Sequence, residues 1–89
     1  LADKWRAFGW RVQECDGHSI PALLEAYAAA QAVRGQPSCI IAHTVKGKGV
    51  SFMENNPAFH GRAATPQELK QALAELDAQA AQAAVTGEL

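Results

Sequence analysis

No apolar run in this sequence approaches the ~20 residues needed to cross a bilayer, and no secretory leader pattern opens the chain. Membrane insertion is therefore not expected. Charge of one sign is also lacking. Lys+Arg number 8 against 9 Asp+Glu, and the net charge of -1 gives no general attraction to nucleic acid or anionic lipid. Any anion site must be local. Cysteine is scarce: Cys15 and Cys39 stand apart, with neither a disulfide framework nor a C-x-x-C pair. A reducing, cytoplasmic setting is expected. The chain opens at Leu1 and not at methionine, so residues upstream are expected to belong to the same protein. Its 89 residues make one small domain at most, or a piece of a larger one. A chain of this length buries only roughly 60–65% of its unfolded surface, so its own core is marginal. The apolar content of 48% nevertheless excludes a disordered composition.

What is present reads as alternating helices and strands. Asp3 to Phe8 predicts a short helix with Trp5 and Phe8 on one face, stopped by Gly9. Trp10 to Cys15 alternates apolar with polar residues through Val12 and Gln13, as a strand does. Asp16-Gly17-His18 is turn chemistry. Ser19 then offers an N-cap, with Pro21 in the first helical turn, where its missing N–H costs little. Ile20, Leu23, Leu24 and Tyr27 predict an amphipathic helix that ends at Arg34 and Gly35. Cys39-Ile40-Ile41-Ala42 is a continuous apolar run, the pattern of a strand covered on both faces. Strand, helix and buried strand together predict a right-handed βαβ unit of a parallel sheet. Residues 46–64 read as a long loop, a kind of segment that is often functional. Thr65-Pro66-Gln67-Glu68 is a capping box with proline at the first helical position. Leu69, Leu73, Leu76, Ala80 and Ala83 continue its apolar face, and past Leu76 the sequence is mostly Ala and Gln.

Chemistry concentrates in Thr44-Val45-Lys46-Gly47-Lys48-Gly49-Val50, with His60-Gly61 beyond. The segment follows the apolar strand, and open parallel sheets place their ligands at the carboxyl ends of strands. Gly47 and Gly49 permit close backbone approach or inward-turned N–H groups, and the lysines add compact positive charge. A phosphate or diphosphate suits this combination, although the Walker A spacing is absent. A lysine–glycine loop is more often a solvated surface turn, and a loop histidine beside Phe59 is at least as often structural as catalytic. Cys15-x-x-His18 with Cys39 or His43 lacks the paired spacing of a zinc site. Asp16 and His18 are explained more simply as a helix-capping turn than as an acid–base pair.

Taken together, D-G-H at Asp16 to His18, T-V-K-G-K-G-V from Thr44 to Val50, and S-F-M-E-N-N-P-A-F-H-G from Ser51 to Gly61 resemble the transketolase family. The E-N-N-P-A-F-H-G run is most similar to the separate N-terminal subunits of split transketolases. The likeness extends from about Asp3 to Leu76. It implies an α/β fold, the C-terminal portion of a doubly wound parallel-sheet domain that binds thiamine diphosphate. Residues 1–76 would form that part and residues 77–89 an Ala/Gln-rich helical tail. By the same resemblance Lys46 binds the cofactor's diphosphate, and His60 contacts both cofactor and sugar, which makes it the implied catalytic residue. Lys48 is assigned only surface charge.

The resemblance further implies transfer of a two-carbon ketol unit from a ketose phosphate to an aldose phosphate, as in the pentose phosphate pathway. Its partners would be sugar phosphates and a C-terminal, pyrimidine-binding subunit or domain, in a dimeric or heterotetrameric assembly. No nucleic acid or membrane partner is expected. Magnesium is implied as well, but the family's Gly-Asp-Gly segment and asparagine that hold it are not in this sequence. Neither is the glutamate that activates the aminopyrimidine ring. The chain should therefore carry part of a site, with no metal ligand of its own, and be inactive alone. His43 stands where many relatives carry lysine, and Ser19 where acid is common. Two other readings stay open at this point: a related synthase of the deoxyxylulose phosphate type, which shares the D-G-H turn and K-G-x-G loop, and a non-catalytic module that binds partners through its last helix.

Overall fold

Two short aromatic-bearing elements start the chain. Helix α1 (Ala2–Ala7) ends at Phe8, and Gly9 takes a positive φ of 91° that a side chain would resist. The Trp5 and Trp10 rings meet edge to face, 4.9 Å between centroids, and so hold α1 to the strand that follows. Trp5 and Phe8 share one face, as their spacing predicts, and line a shallow apolar groove with Leu1 and Lys4. Phe8 lies at the cap, beyond the last helical residue, and is 84% exposed. The computed structural model describes residues 1–87, so the last two residues of the expected 77–89 tail lie outside the described residues.

Strand β1 (Arg11–Asp16) pairs in parallel with β2 (Ser38–His43), Val12 opposite Cys39 and Asp16 opposite His43. Helix α2 (Ile20–Ala32) connects them and packs on both, so the expected βαβ order is present in an α/β arrangement. The turn into α2 is built as its residues dictate. An Asp16 carboxylate oxygen accepts from the His18 N–H at 2.9 Å, and the Gly17 N–H donates to the His43 carbonyl at 2.8 Å. A Cβ on Gly17 would lie 2.6 Å from Thr44 Cγ2, which leaves room only for glycine. Ser19 Oγ then accepts from the Ala22 N–H at 3.2 Å, with Pro21 in the first turn.

Three expectations about this unit need correction. Ile20, Leu24 and Tyr27 are exposed, while Ala22, Leu23, Ala26 and Ala30 carry the packed stripe. Because α2 is apolar around most of its circumference, spacing alone selects no face. Small residues let the helix approach closely enough for the Gln13 amide to donate to the Ala26 carbonyl at 2.8 Å. Second, α2 ends at Ala32 through an extended Val33, and Arg34 Nη1 satisfies the Gln31 carbonyl at 2.7 Å. The helix thus ends before the expected Arg34 and Gly35, and Gly35 takes its positive φ of 82° beyond the cap. Third, Ser38 to Ile41 are half-buried and Ala42 is exposed, so these 89 residues by themselves do not cover β2 on both faces. Among the described residues the sheet has two strands, and Val12 and Ala26 form the buried centre of this unit, Leu1–Thr44.

A second compact unit begins at Val45. It consists of a folded loop, a short 3-10 turn η1 (Pro57–His60) and helix α3 (Pro66–Thr86), with Val50 and Ala72 buried. The capping box is fully formed. Thr65 Oγ1 accepts from the Glu68 N–H at 3.2 Å, and Glu68 Oε1 accepts from the Thr65 N–H at 2.9 Å. Leu69, Leu73 and Leu76, expected as the packing face, are exposed. The packed side of α3 runs through Glu68, Ala72, Glu75 and Ala83. Polar residues take this face because it meets a hydrogen-bonding loop and not an apolar sheet.

Candidate functional site

Lys46 and His60 both belong to the folded loop of the second unit. Two tight turns open it: the Lys48 N–H donates to the Val45 carbonyl at 3.1 Å, and the Val50 N–H to the Gly47 carbonyl at 3.2 Å. Gly47 has φ of 74°, and a Cβ there would stand 2.5 Å from the Met53 carbonyl oxygen. Conformation and space thus both demand glycine directly after Lys46. The Asn55 N–H returns to the Lys46 carbonyl at 2.8 Å, and Asn55 adopts φ of 56°, a region asparagine tolerates. Asn56 does two jobs: its Oδ1 accepts from the Ala58 N–H at 3.0 Å, and its Nδ2 donates to the Phe52 carbonyl at 3.1 Å. That side chain caps η1, with Pro57 in the first turn. The E-N-N-P run is therefore a loop-closing device.

His60 is the last residue of η1 and is exposed, as is Lys46. The neighbouring Phe59 fixes the turn. Its ring packs against Phe52, 5.5 Å between centroids, and lies 4.2 Å beneath the Arg62 guanidinium. Arg62 in turn forks onto Glu68 at 3.0 and 3.1 Å, which orients the arginine away from a role as a free anion ligand. The Arg62 bonds, followed by the Thr65 N–H, hold the Glu68 carboxyl down at about 2. A depressed carboxyl pKa stabilises the fold above the ordinary carboxylate range and loses that contribution as pH falls towards the folded value. In the full-length protein, Glu68→Gln is expected to lower the melting temperature at neutral pH. The gap from wild type should close as pH falls from 4.5 towards about 2; a gap independent of pH would contradict the assignment.

Of the two roles open to the loop glycines, close approach or an inward-turned N–H, Gly49 does not take the second. The Gly49 N–H donates to Glu54 Oε1 at 3.0 Å, and the Ser51 N–H and Oγ–H donate to the Glu75 carboxylate at 2.8 and 2.9 Å. The Ser51 N–H, then its hydroxyl and Gln71, hold the Glu75 carboxyl below its usual range. Carboxylates already fill these two amide positions, so attraction to an anion falls to the lysine side chains. Glu54 opens the E-N-N-P-A-F-H-G run, but Arg62, Glu75 and Gln79 do not stand out in the sequence. The 68–72–75–79 spacing along α3 is the one signal that points to the last two.

The first unit holds the remaining titratable groups of interest. His43 Nε2 lies 2.8 Å from Glu14 Oε1 across the parallel strands, an exposed surface pair. Asp16 serves the turn described above, consistent with a capping role. Among the described residues no group of three or more His, Cys, Asp or Glu is arranged to hold a metal ion. None of their helices is long and apolar enough to cross a membrane.

Known proteins supply the remaining context. The profile of the family described as "Transketolase, thiamine diphosphate binding domain" matches residues 1–88. The 6-deoxy-6-sulfo-D-fructose transketolase subunit SqwG of Clostridium sp. (strain MSTE9) is 46% identical over 81 residues, covering 91% of this chain and 30% of that protein. An apulose-4-phosphate transketolase subunit from Actinobacillus succinogenes is 40% identical over 76 residues, 85% of this chain and 27% of its own length. The transketolase of Mus musculus is 37% identical over 73 residues, 82% of this chain and 11% of its own. The chain thus spans at most 30% of the length of these relatives. With the family profile matched over residues 1–88, the chain belongs to the transketolase thiamine diphosphate-binding domain family.

Proposed function

We propose that this chain is the C-terminal part of the cofactor-binding portion of a transketolase, in which Lys46 contacts the diphosphate of thiamine diphosphate and His60 contacts cofactor and sugar. Residues 1–76 would belong to the domain proper and residues 77–89 to a tail that continues α3 as far as Thr86 and still bonds the loop through Gln79. The observation that carries the reading is the family match over nearly the whole chain, combined with an exposed lysine on a loop fixed by its own hydrogen bonds. A further support is the fixed backbone beside the lysine: Gly47, directly after Lys46, holds a positive φ and packs against the Met53 backbone with no space for a side chain. Magnesium would be held by residues outside this segment, since such an ion takes near-octahedral oxygen ligands.

When bound, thiamine diphosphate supplies the carbon–carbon bond chemistry. Lys46 neutralises diphosphate charge, and charge-assisted bonds of this type contribute ~1.5–3 kcal/mol. His60, on a turn braced by Phe59, donates or accepts a hydrogen bond at a substrate hydroxyl and keeps that contact as charge shifts. Two of the relatives named above are subunits, which supports a split enzyme completed by a pyrimidine-binding partner. Sugar phosphates are its proposed substrates and the cytoplasm its proposed setting. The names of all three relatives favour a transketolase over a related synthase.

An assay of the full-length protein with its partner tests this. Ketol transfer from a ketose phosphate to an aldose phosphate is expected to require thiamine diphosphate, magnesium and both subunits. Full turnover in the absence of thiamine diphosphate would contradict the reading.

A further inference from the structure

We propose that Glu75 and Gln79 are positioning residues: helix α3 acts as a splint that holds the Lys46–Ser51 loop in the conformation that takes up the diphosphate. This rests on the cofactor-binding reading of Lys46. The geometry is direct. Both oxygens of the Glu75 carboxylate are taken by one loop residue, Ser51, through its N–H at 2.8 Å and its hydroxyl at 2.9 Å. Gln71, one turn earlier on α3, donates to the same carboxylate at 3.0 Å and fixes its rotamer. One turn later, Gln79 Nε2 donates to the Gly49 carbonyl at 2.6 Å. A Cβ on Gly49 would lie 3.1 Å from Gln79 Oε1 and 3.3 Å from Leu76 Cδ2, so the loop backbone lies close against the helix.

Such a splint answers a physical need. Gly47 and Gly49, at φ of 74° and 98°, give this loop more conformational freedom to lose than ordinary residues would. Fixing one residue's backbone costs roughly 1–2 kcal/mol, and a ligand that must order its own loop bears that cost out of its affinity. Glu75 and Gln79 bind Ser51 and Gly49, which lie beyond Lys46 in the loop, while Asn55 secures the Lys46 carbonyl itself. The loop is thus ordered before any ligand arrives. Glu75 is half-buried and its carboxylate is spent on hydrogen bonds to Ser51 and Gln71.

Two measurements on the full-length protein with its partner test the splint. The first is a double-mutant cycle for thiamine diphosphate affinity, with magnesium present. Glu75→Ala is expected to raise Kd about tenfold when Lys46 is present and much less in the Lys46→Ala background, because the helix acts through the lysine. Ser51→Thr, which keeps both donors, should bind nearly as wild type. The second is amide hydrogen exchange without cofactor, in which Glu75→Ala should accelerate exchange at Gly49 and Ser51 while the amides of α2 keep their wild-type rates. Equal affinity losses in both backgrounds, or unchanged exchange at those amides, overturn the proposal. Should the wild-type protein bind no thiamine diphosphate, the assignment of Lys46 fails; the splint then stands or falls on the exchange rates alone.

Discussion

Lys46→Ala in the full-length protein is expected to weaken thiamine diphosphate binding by about 1.5–3 kcal/mol, roughly 10- to 150-fold in Kd. The expectation follows from the chemistry of the loop. With the Gly49 and Ser51 N–H groups given to Glu54 and Glu75, the positive contacts left to the loop are its lysines, of which the proposed role singles out Lys46. Lys48 is the control. It is exposed too, but its backbone closes the first turn and the resemblance assigns it no ligand, so Lys48→Ala should change Kd by less than about threefold. Equal losses at the two positions would indicate diffuse attraction, and raising the salt concentration would then abolish both together.

His60→Ala is expected to act on turnover more than on cofactor affinity. Loss of a hydrogen bond that strengthens as charge moves lowers kcat and kcat/KM together, by about 10- to 100-fold for one charge-assisted contact. The histidine ends a turn held by Phe59, Arg62 and Asn56, so the fold of that turn does not depend on the imidazole. Steady-state kinetics normalised to bound thiamine diphosphate separate the two roles. Unchanged kcat with a lowered melting temperature would leave His60 as a structural residue.

Local chemistry in this chain is legible wherever a residue determines its own backbone. Ser19, Pro21, Thr65, Pro66 and Glu68 cap their helices as their types and spacing dictate, and Asp16-Gly17-His18 turns the chain as expected. Which face of a helix packs is not legible. In α2, alanines and Leu23 meet the sheet while Ile20, Leu24 and Tyr27 face outward. In α3 the leucine stripe yields to Glu68, Ala72 and Glu75. Within these 89 residues α3 meets a loop rich in backbone donors and acceptors, and a chain that spans at most 30% of its relatives' length shows packing only against itself.

The candidate site divides along the same line. Lys46 and His60 stand out by their place in a motif, and the structure puts both on one folded loop. The supporting residues cannot be found that way, because their role is a long-range hydrogen bond. Glu75 reaches Ser51 and Gln79 reaches Gly49 across 24 and 30 positions of sequence, and no local pattern announces such a bond. The Arg62 guanidinium is committed to Phe59 and Glu68, contacts that no local pattern announces either.

The central claim is that these residues form part of a thiamine diphosphate site, and calorimetric titration of the cofactor into the full-length protein with its partner tests it most directly. Saturable binding is expected, dependent on magnesium and weakened at least about tenfold by Lys46→Ala. Saturable binding that Lys46→Ala leaves unchanged, or no binding by the wild-type pair in the presence of magnesium, would contradict it.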